Sequence, residues 1–374
     1  MISSVHEYDA VIVGASFGGL AAASQLQGAG RVLLADREPP GTGETSACGT
    51  LLAVLERLDA LDALEQIHPT VTINAAGRRV SFRPAYPFTT FDYRRLSTIL
   101  AERLSDVEIA VAPFRRRKED GTLVLGGREV HAPVVIDASG WRSVVARESG
   151  GSPPDRSQLS YGLEARHGHG GCTLEFWARP PEARDGVLWA FPAGDHVREG
   201  VASYAGRGAG LKATLAHVPH ERDLPPRAVH GGFFPARLGS AVAGTTFVVG
   251  DAAGQCLPLT GEGIRPALVW GQEAGRWARR VLDGTVDLDE ALNAYGAAVA
   301  SHRAEYAVLE RLQTGSSGSR SSSSRRPPAC SLAARLLGSP NAPTGGLPTL
   351  TGWKSGRASA ARLGRPRNSA RPAP

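Results

Sequence analysis

Residues 10–19, Ala-Val-Ile-Val-Gly-Ala-Ser-Phe-Gly-Gly, decide the fold of this 374-residue chain. The four apolar residues predict a buried strand, and a glycine-rich turn then opens onto a helix of small residues that reaches about Gly28. A second apolar strand, from Arg31 to Asp36, completes the start of a βαβ unit. This order of elements predicts an α/β domain of the kind that binds a dinucleotide.

The turn itself is a G-x-G-x-x-G pattern in which Ser16 stands at the second glycine. Gly14 permits the tight turn, and Gly19 permits close approach of helix and strand. The amides at the helix N-terminus then face a pyrophosphate. Asp36 ends the second strand, where a carboxylate can accept hydrogen bonds from ribose hydroxyls. The residues expected to bind the cofactor here are Gly14, Ser16, Gly18, Gly19, Asp36 and the adjacent Arg37.

The same turn also spells G-x-S-x-G, the pattern around the nucleophile of many serine hydrolases. In those enzymes, strands that precede the nucleophile supply the oxyanion loop. Here the strand before Ser16 is the first predicted element. A serine hydrolase is therefore the less favoured alternative. A further alternative is a glycine turn that has only a structural role and binds no ligand.

Composition narrows the class of protein. Hydrophobic residues make up 42% of the chain and charged residues 21%, which is typical of a globular protein. No apolar run reaches the roughly 18 residues of a membrane-spanning helix, and the absence of a signal-peptide pattern favours a cytoplasmic location. The four cysteines form no C-x-x-C pair, so we expect neither a disulfide scaffold nor a metal site.

The net charge of +6 belongs to the C-terminal tail. Residues 314–374 hold ten Lys or Arg and no Asp or Glu, which leaves 32 basic and 36 acidic residues, a net charge of −4, in residues 1–313. Nucleic-acid binding needs a basic face on the folded part, so no nucleic-acid partner is expected. The Ser-, Pro- and Arg-rich tail is predicted to be disordered. The alternatives are an arginine-rich arm for anionic surfaces and an altered reading frame.

Between the motifs, leucine spacing predicts helices over residues 50–67 and 92–104. Strands are predicted at 107–111 and 134–137, with a hairpin turn at 119–121 in between. Alternating runs over 157–205 predict an antiparallel sheet, and strands are also predicted around 70–90. Two helices, about 262–282 and 288–312, end the folded part.

A second glycine-rich constellation follows a buried strand predicted over Phe247–Gly250. Asp251 comes next, and Pro258-Leu259-Thr260-Gly261-Glu262-Gly263-Ile264 then leads into a helix. Together with the first turn, it resembles the FAD-dependent oxidoreductases of the geranylgeranyl reductase group, within the para-hydroxybenzoate hydroxylase-like flavoprotein superfamily. The resemblance extends over about residues 8–312.

This resemblance implies FAD as the cofactor and assigns residues to it. Gly250 and Asp251 would contact its ribityl and pyrophosphate region. Gly261, Gly263 and Ile264 would place backbone amides against the isoalloxazine, where a helix N-terminus stabilises negative charge. The superfamily carries a cofactor-contacting arginine near the start of the helix predicted at 92–104. Tyr93 stands in that register, so Arg94 or Arg95 is the candidate, with a solvated helix face as the alternative.

The resemblance also suggests a substrate side. Trp189-Ala190-Phe191-Pro192, followed by Gly200, is similar to a motif of the geranylgeranyl reductases. Residues 187, 189 and 191 of a strand point to one face, where Trp189 and Phe191 would contact substrate or form plain core. Pro192 is the third candidate substrate residue of the motif. Cys48 and Gly49 match a Cys-Gly pair near flavin and substrate, and the thiol would donate a proton or simply pack.

The predicted architecture is a Rossmann-like FAD-binding domain, an α/β fold, split around an antiparallel β-sheet substrate domain. We assign residues 1–150, except for substrate-domain strands at about 70–90, and residues 241–313 to the FAD-binding domain with its C-terminal helices. Residues 151–240 are assigned to the substrate domain and residues 314–374 to the tail. No second nucleotide loop of comparable quality occurs, so NAD(P)H would dock transiently as the reductant, or another reductant would act.

The implied reaction is reduction of C=C bonds in an isoprenoid or lipid-like substrate by hydride transfer from reduced flavin. One alternative is a flavin-dependent monooxygenase acting on an aromatic or polyketide substrate. The other is an inactive homologue with an aberrant C-terminus. A small apolar substrate and peripheral membrane contact are the expected partners, and the oligomeric state stays open.

Overall fold

The computed structural model describes residues 5–44, 46–75, 77–152, 154–155, 159–168, 173–206, 208–217 and 227–314. Residues 315–374, which hold almost all of the predicted disordered tail, lie outside this part of the chain, as does Cys172. Within it, no helix combines the length and the apolar content that a membrane span requires.

A six-stranded sheet forms the centre of the nucleotide-binding half. Five strands run parallel, and a sixth is antiparallel at one edge. In spatial order they are β19 (Val242–Ala243), β20 (Thr246–Val248), β13 (Val134–Asp137), β2 (Ala10–Val13), β3 (Val32–Asp36) and β9 (Val107–Val111). The strands predicted at 10–13, 107–111 and 134–137 are confirmed.

Two layers cover this sheet. Ile12 and Ile136 pack against a helix layer, whereas Val11 and Val135 pack against a small second sheet. The helix layer comprises α1 (Phe17–Leu26), α3 (Tyr93–Glu102), α6 (Ile264–Leu282), α7 (Leu288–Ala300) and α8 (Arg303–Thr314). The second sheet comprises β1 (His6–Glu7), β12 (Arg128–His131), β11 (Leu123–Leu125) and β10 (Phe114–Arg117), and α4 (Val144–Glu148) contacts β10. Because both faces are buried, the central strands are apolar throughout.

Helices α1 and α6 cross in backbone contact. A Cβ added to Gly271 would lie 2.3 Å from the carbonyl oxygen of Gly18, and one added to Gly275 would lie 2.6 Å from that of Ala22. Only glycine permits this approach. The crossing fixes the position of the turn that precedes α1.

A seven-stranded sheet forms the other half of the molecule. All neighbouring pairs are antiparallel except β15 with β6. In spatial order the strands are β18 (Arg227–Pro235), β14 (Leu159–Gly168), β17 (His196–Ser203), β16 (Gly186–Ala193), β15 (Leu174–Ala178), β6 (Val71–Ala75) and β7 (Arg78–Phe82). Helix α5 (Leu211–His217) packs on one face through Leu211 and Leu215, which leaves the other face toward the nucleotide-binding half.

Three local predictions are wrong in part. The helix predicted over 50–67 is the short α2 (Leu52–Arg57), followed by strand β5 (Leu64–His68), which pairs with β8 (Phe88–Phe91); β8 also pairs with β4 (Gly49–Leu51). The helix predicted over 288–312 is two helices, α7 and α8. The strand predicted over 247–250 ends at Val248, and a turn of 3-10 helix takes over at Gly250. Tertiary pairing overrides leucine spacing in the first case.

Candidate active site

A cavity of about 340 Å³ lies between the two halves. Ser16, Ala138 and Val249, which follow β2, β13 and β20, line it from the nucleotide side. The seven-stranded sheet lines it from the opposite side. Ligands of open α/β sheets bind at this carboxyl edge of the strands. Predicted cofactor residues of both glycine motifs line the cavity, as do the predicted substrate residues Trp189 and Phe191. The predicted site residues that do not line it are Gly14, Gly19, Asp36, Arg37, Arg94, Cys48 and Pro192.

The first glycine turn is built for close approach. Gly14 has φ of +111°, and a Cβ there would lie 2.2 Å from the carbonyl oxygen of Ala138. A Cβ at Gly19 would lie 1.8 Å from the carbonyl oxygen of Gly14. Both glycines are therefore obligatory for the turn, and Ser16 and Gly18 are left facing the cavity.

Ser16 pairs with a tyrosine. Its Oγ lies 3.2 Å from the hydroxyl of Tyr93, which also lines the cavity. Burial raises the pKa of Tyr93, so that this hydroxyl stays protonated. A protonated phenol is not a base that could activate a serine, which removes support from the hydrolase alternative. The candidate Arg94 is exposed, whereas Tyr93 points inward.

Asp36, the predicted ribose acceptor, is held by two backbone amides. It ends β3, and its Oδ2 accepts a 2.6 Å hydrogen bond from the backbone amide of Ala15. Its Oδ1 accepts a second bond, from the amide of Glu38. The carboxylate is thus tied to the glycine turn while remaining partly accessible, and the adjacent Arg37 is exposed.

The second glycine motif lines the cavity on the side where α6 begins. Gly250, Asp251, Gly261, Gly263 and Ile264 all line it. Burial raises the pKa of Asp251 to about 6, and hydroxyl donors from a ligand would favour its charged form. Since α6 begins at Ile264, its first amides have no acceptor within the helix and can serve a negatively charged group.

Two hydrogen bonds hold the loop that carries this motif. Leu259 has φ of +69°, and its carbonyl oxygen accepts a 2.6 Å hydrogen bond from the hydroxyl of Tyr204. Its amide donates to the side-chain oxygen of Gln313, near the end of α8. The last helix therefore supports the predicted flavin loop directly.

Cys48 and Gly49 lie at the opposite wall, and only Gly49 lines the cavity. A Cβ at Gly49 would lie 2.6 Å from the ring of Phe88 and 2.9 Å from that of Phe191, so the glycine lets two aromatic rings close over it. Cys48 is fully buried at φ of +50°, and its thiol donates to Glu44 over 3.3 Å. Burial raises the pKa of Cys48 well above its ordinary value.

One row of directly paired residues crosses all seven strands of the substrate sheet. Paired residues share a face of the sheet. From β18 to β7 the row contains His230, Glu164, Gly200, Trp189, Phe176, Ile73 and Val80. It is polar at the β18 end and apolar from Trp189 onward.

The adjacent row on the same face consists of small side chains and lines the cavity. It contains Gly232, Gly162, Ala202, Val187, Ala178 and Ala75. With strands about 4.8 Å apart, this row spans roughly 24 Å from β18 to β6. The two rows form a groove that crosses the strands, with a floor of small residues and a wall of large ones. We call it the transverse groove.

Trp189 lies flat in this wall because residue 200 is glycine. A Cβ at Gly200 would lie 2.0 Å from the indole ring. The indole reaches across Gly200 and its Nε1 donates a 2.9 Å hydrogen bond to Glu164. Phe191 lines the same wall, whereas the carbonyl of Pro192 is bound by Thr90 and His68.

A buried ion cluster closes the polar end. Arg198 is 1% exposed and donates to Glu44 over 2.5 Å and to Glu164 over 3.2 Å. Arg166 pairs with Glu44 over 2.5 Å. Although burial alone would raise the pKa of Glu44, the two guanidinium groups lower it to about 2. Glu44, Glu164 and His230 could hold a metal ion by geometry, but Arg198 already supplies the cation that bridges the two carboxylates.

Sequence reasoning missed this cluster. Glu44 lies in a Gly/Pro loop, and Arg198 and Glu164 lie on strands that are far apart in the chain. Glu164 did carry one signal, a charged residue within an alternating strand, but nothing in the sequence gives its partner. Tyr93 and Tyr204 were not singled out as site residues either, and both line the cavity.

Comparisons with known proteins show which sequences and folds this chain resembles. The chain is 27% identical over 309 residues to digeranylgeranylglycerophospholipid reductase 2 of Methanothermobacter thermautotrophicus, covering 75% of this chain and 80% of that protein. No family model matches. A geranylgeranyl bacteriochlorophyll reductase-like protein from Thermoplasma acidophilum superposes with a TM-score of 0.75 at 18% identity, over 83% of this chain and 88% of that one. A probable FAD-dependent monooxygenase from Pseudomonas aeruginosa superposes with a TM-score of 0.58 at 17% identity, over 83% of this chain and 99% of that one.

Proposed function

Because the chain is a relative of the FAD-dependent oxidoreductases of the geranylgeranyl reductase group, we propose that it reduces C=C bonds in a long-chain isoprenoid lipid. The observation that carries the proposal is the transverse groove. Its floor of small residues extends for roughly 24 Å and its wall is apolar from Trp189 onward, which suits an extended prenyl chain better than a compact aromatic ring. The similarity to a phospholipid reductase supports the same substrate class.

The chain's own residues fit FAD. The obligatory glycines at positions 14 and 19 leave backbone amides free for the pyrophosphate, and Asp36 would accept from the adenosine ribose. Asp251 would accept from the ribityl hydroxyls, and the first amides of α6 would face the flavin ring. When bound and reduced, FAD supplies the hydride.

On the substrate side, the residues would exclude water and orient the chain. Trp189 and Phe191 would cover the bond to be reduced, and Glu164 would hold the indole in place. Cys48 is a protonated thiol one residue from the cavity wall, which makes it or a water molecule the proposed proton source. We also propose that NAD(P)H docks transiently as the reductant. The proposed domain limits are at residues 150 and 240.

A monooxygenase is the second candidate, favoured by the likeness to the Pseudomonas fold. It differs in its use of oxygen, which it would consume in proportion to product. A reductase would act without oxygen and add two hydrogens to each double bond.

The first experiment is an absorbance spectrum of the purified full chain. Flavin bands near roughly 370 and 450 nm, with FAD released on denaturation, would support the cofactor. The flavin would then be bleached anaerobically with dithionite or NADPH and mixed with a geranylgeranyl phospholipid. Reoxidation together with a gain of two mass units per double bond is the expected result.

A folded but colourless protein that FAD cannot reconstitute would overturn the proposal and leave the inactive homologue. Reoxidation that requires oxygen and adds oxygen mass would favour the monooxygenase.

A further inference from the structure

The transverse groove runs toward a free edge of the substrate sheet. Among the strands that the structure describes, β7 pairs only with β6, with Val80 opposite Ile73 and Arg78 opposite Ala75. Ile73 and Ala75 line the cavity. Since paired residues share a face, Val80 and Arg78 continue the lining of the groove at the outer edge of the sheet.

This edge combines apolar and basic residues. Val80 is 40% exposed, and Tyr86, in the segment that leads to β8, is 39% exposed. Residues 77–86, Gly-Arg-Arg-Val-Ser-Phe-Arg-Pro-Ala-Tyr, contain three arginines and no acidic residue. We call residues 77–86 the basic edge.

The arginines of the basic edge are largely uncompensated. Arg79 pairs with Glu175 over 2.5 Å. Arg78 and Arg83 are exposed, and neither forms an ion pair with any residue that the structure describes. Charged residues on an edge strand also prevent pairing with other chains. That role alone gives no reason for Val80 and Tyr86 to be exposed beside them.

We propose that the basic edge docks on the surface of an anionic lipid bilayer, at the end of the groove where a lipid substrate would enter. Arginines attract anionic headgroups, and exposed apolar and aromatic side chains enter the headgroup region. The entry of substrate rests on the proposed function, whereas the docking does not.

The test needs a local readout, because the ten basic residues of the tail would bring any variant to anionic vesicles. An environment-sensitive fluorophore is attached to Val80→Cys in the full chain, with Cys172 and Cys330 replaced by Ser. The matched control carries the fluorophore at Val111→Cys, a 60% exposed residue on the edge strand β9. Vesicles contain equal parts phosphatidylglycerol and phosphatidylcholine, or phosphatidylcholine alone.

We expect a blue shift and quenching by lipid-borne nitroxide for the Val80 label on the anionic vesicles only, and little change for the Val111 label. Replacing Arg78 and Arg83 by Gln should weaken the Val80 response by about fivefold per arginine. Replacing the exposed Arg115 and Arg116 of β10 by Gln should leave it unchanged. An equal response of both labels, or no response at Val80, would overturn the proposal.

Activity on detergent-dispersed substrate separates this inference from the proposed function. If the protein reduces the substrate in detergent but the Val80 label does not insert into vesicles, the proposed reductase activity is supported and the proposed docking is refuted. If the label inserts but no prenyl lipid is reduced, the proposed docking is supported and the proposed reductase activity is refuted.

Discussion

At the scale of single residues, the shape of the groove depends on a glycine, which has no side chain. Gly200 has no Cβ, and the indole of Trp189 occupies that space on its way to Glu164. The orientation of the largest ring in the groove is therefore set by a glycine on the neighbouring strand.

Gly200→Ala should displace this indole, since the new Cβ would fall 2.0 Å from the ring. We expect a loss of about 1–3 kcal/mol in the free energy of unfolding and a changed tryptophan emission. Gly162→Ala is the matched control, because its Cβ would have no contact shorter than 3.6 Å. Urea titrations of both variants provide the measurement, and equal stability of the two would contradict this account of Trp189.

His68 should make stability depend on pH. It is buried, donates to the carbonyl of Pro192, and has a pKa lowered by burial to about 4, against an ordinary value of 6.5. The unfolded chain therefore binds the proton more readily, and stability falls as the pH drops below 6.5. Between pH 7 and pH 5 we expect a loss of about 2 kcal/mol from this group, which His68→Gln should remove in urea titrations. A variant with the same pH slope as the wild type would refute the assignment.

At the scale of elements, the loop between β3 and β4 is held by one carboxylate. Glu44 joins this loop to β14 and β17 through Arg166 and Arg198. The loop carries Ser46 and Ala47, which line the cavity. Its position over the site thus depends on a buried ion cluster.

Glu44→Gln should cost about 3 kcal/mol, because it leaves Arg198 buried with one fewer counter-charge. Glu38→Gln changes the same charge at an exposed position of the same loop and should cost little. The folded pKa of Glu44 is about 2 and its ordinary value 4.5, so the wild-type contribution is complete above pH 4.5 and is lost as the pH falls toward 2. Unfolding curves and the rate of proteolysis within 37–48 would show the effect, and similar behaviour of both variants would argue against it.

The crossing of α1 and α6 makes a second prediction at this scale. Gly271→Ala would place a Cβ 2.3 Å from the backbone of Gly18, and we expect a loss of about 2 kcal/mol together with weaker FAD binding. Gly296→Ala, on α7, meets nothing closer than 3.5 Å and should gain up to about 1 kcal/mol from helix propensity. Thermal unfolding and FAD titration distinguish the two, and normal FAD binding by the first variant would show that the crossing does not position the turn.

Several elements were predictable because their determinants are local. The parallel strands follow from continuous apolar runs, and the turn at Gly14 follows from its glycines. The strand at 64–68 could not be predicted, because its pairing with β8 is a tertiary contact. In the same way, alternation placed Trp189 and Phe191 on one face, but the bond from Trp189 to Glu164 joins strands about 25 residues apart.

At the scale of the whole molecule, residues of both halves line the cavity, so a ligand bound in it should stabilise both. FAD at 100 times its dissociation constant should raise the free energy of unfolding by about 2.7 kcal/mol. FMN at the same concentration lacks the adenosine that Asp36 would hold and should do much less. Urea titrations with each nucleotide test this, and equal effects would refute the role of Asp36.

The transverse groove has one more consequence, because it crosses the strands instead of following them. Successive strands are about 4.8 Å apart, close to the length of one extended isoprene unit. A prenyl chain in the groove would therefore advance by about one unit for each strand it crosses, and the sheet would act as a ruler. Enlarging Ala75 on β6, Ala178 on β15 or Ala202 on β17 would shorten this ruler at different strands, and would move the position of the reduced bond along the chain by whole units.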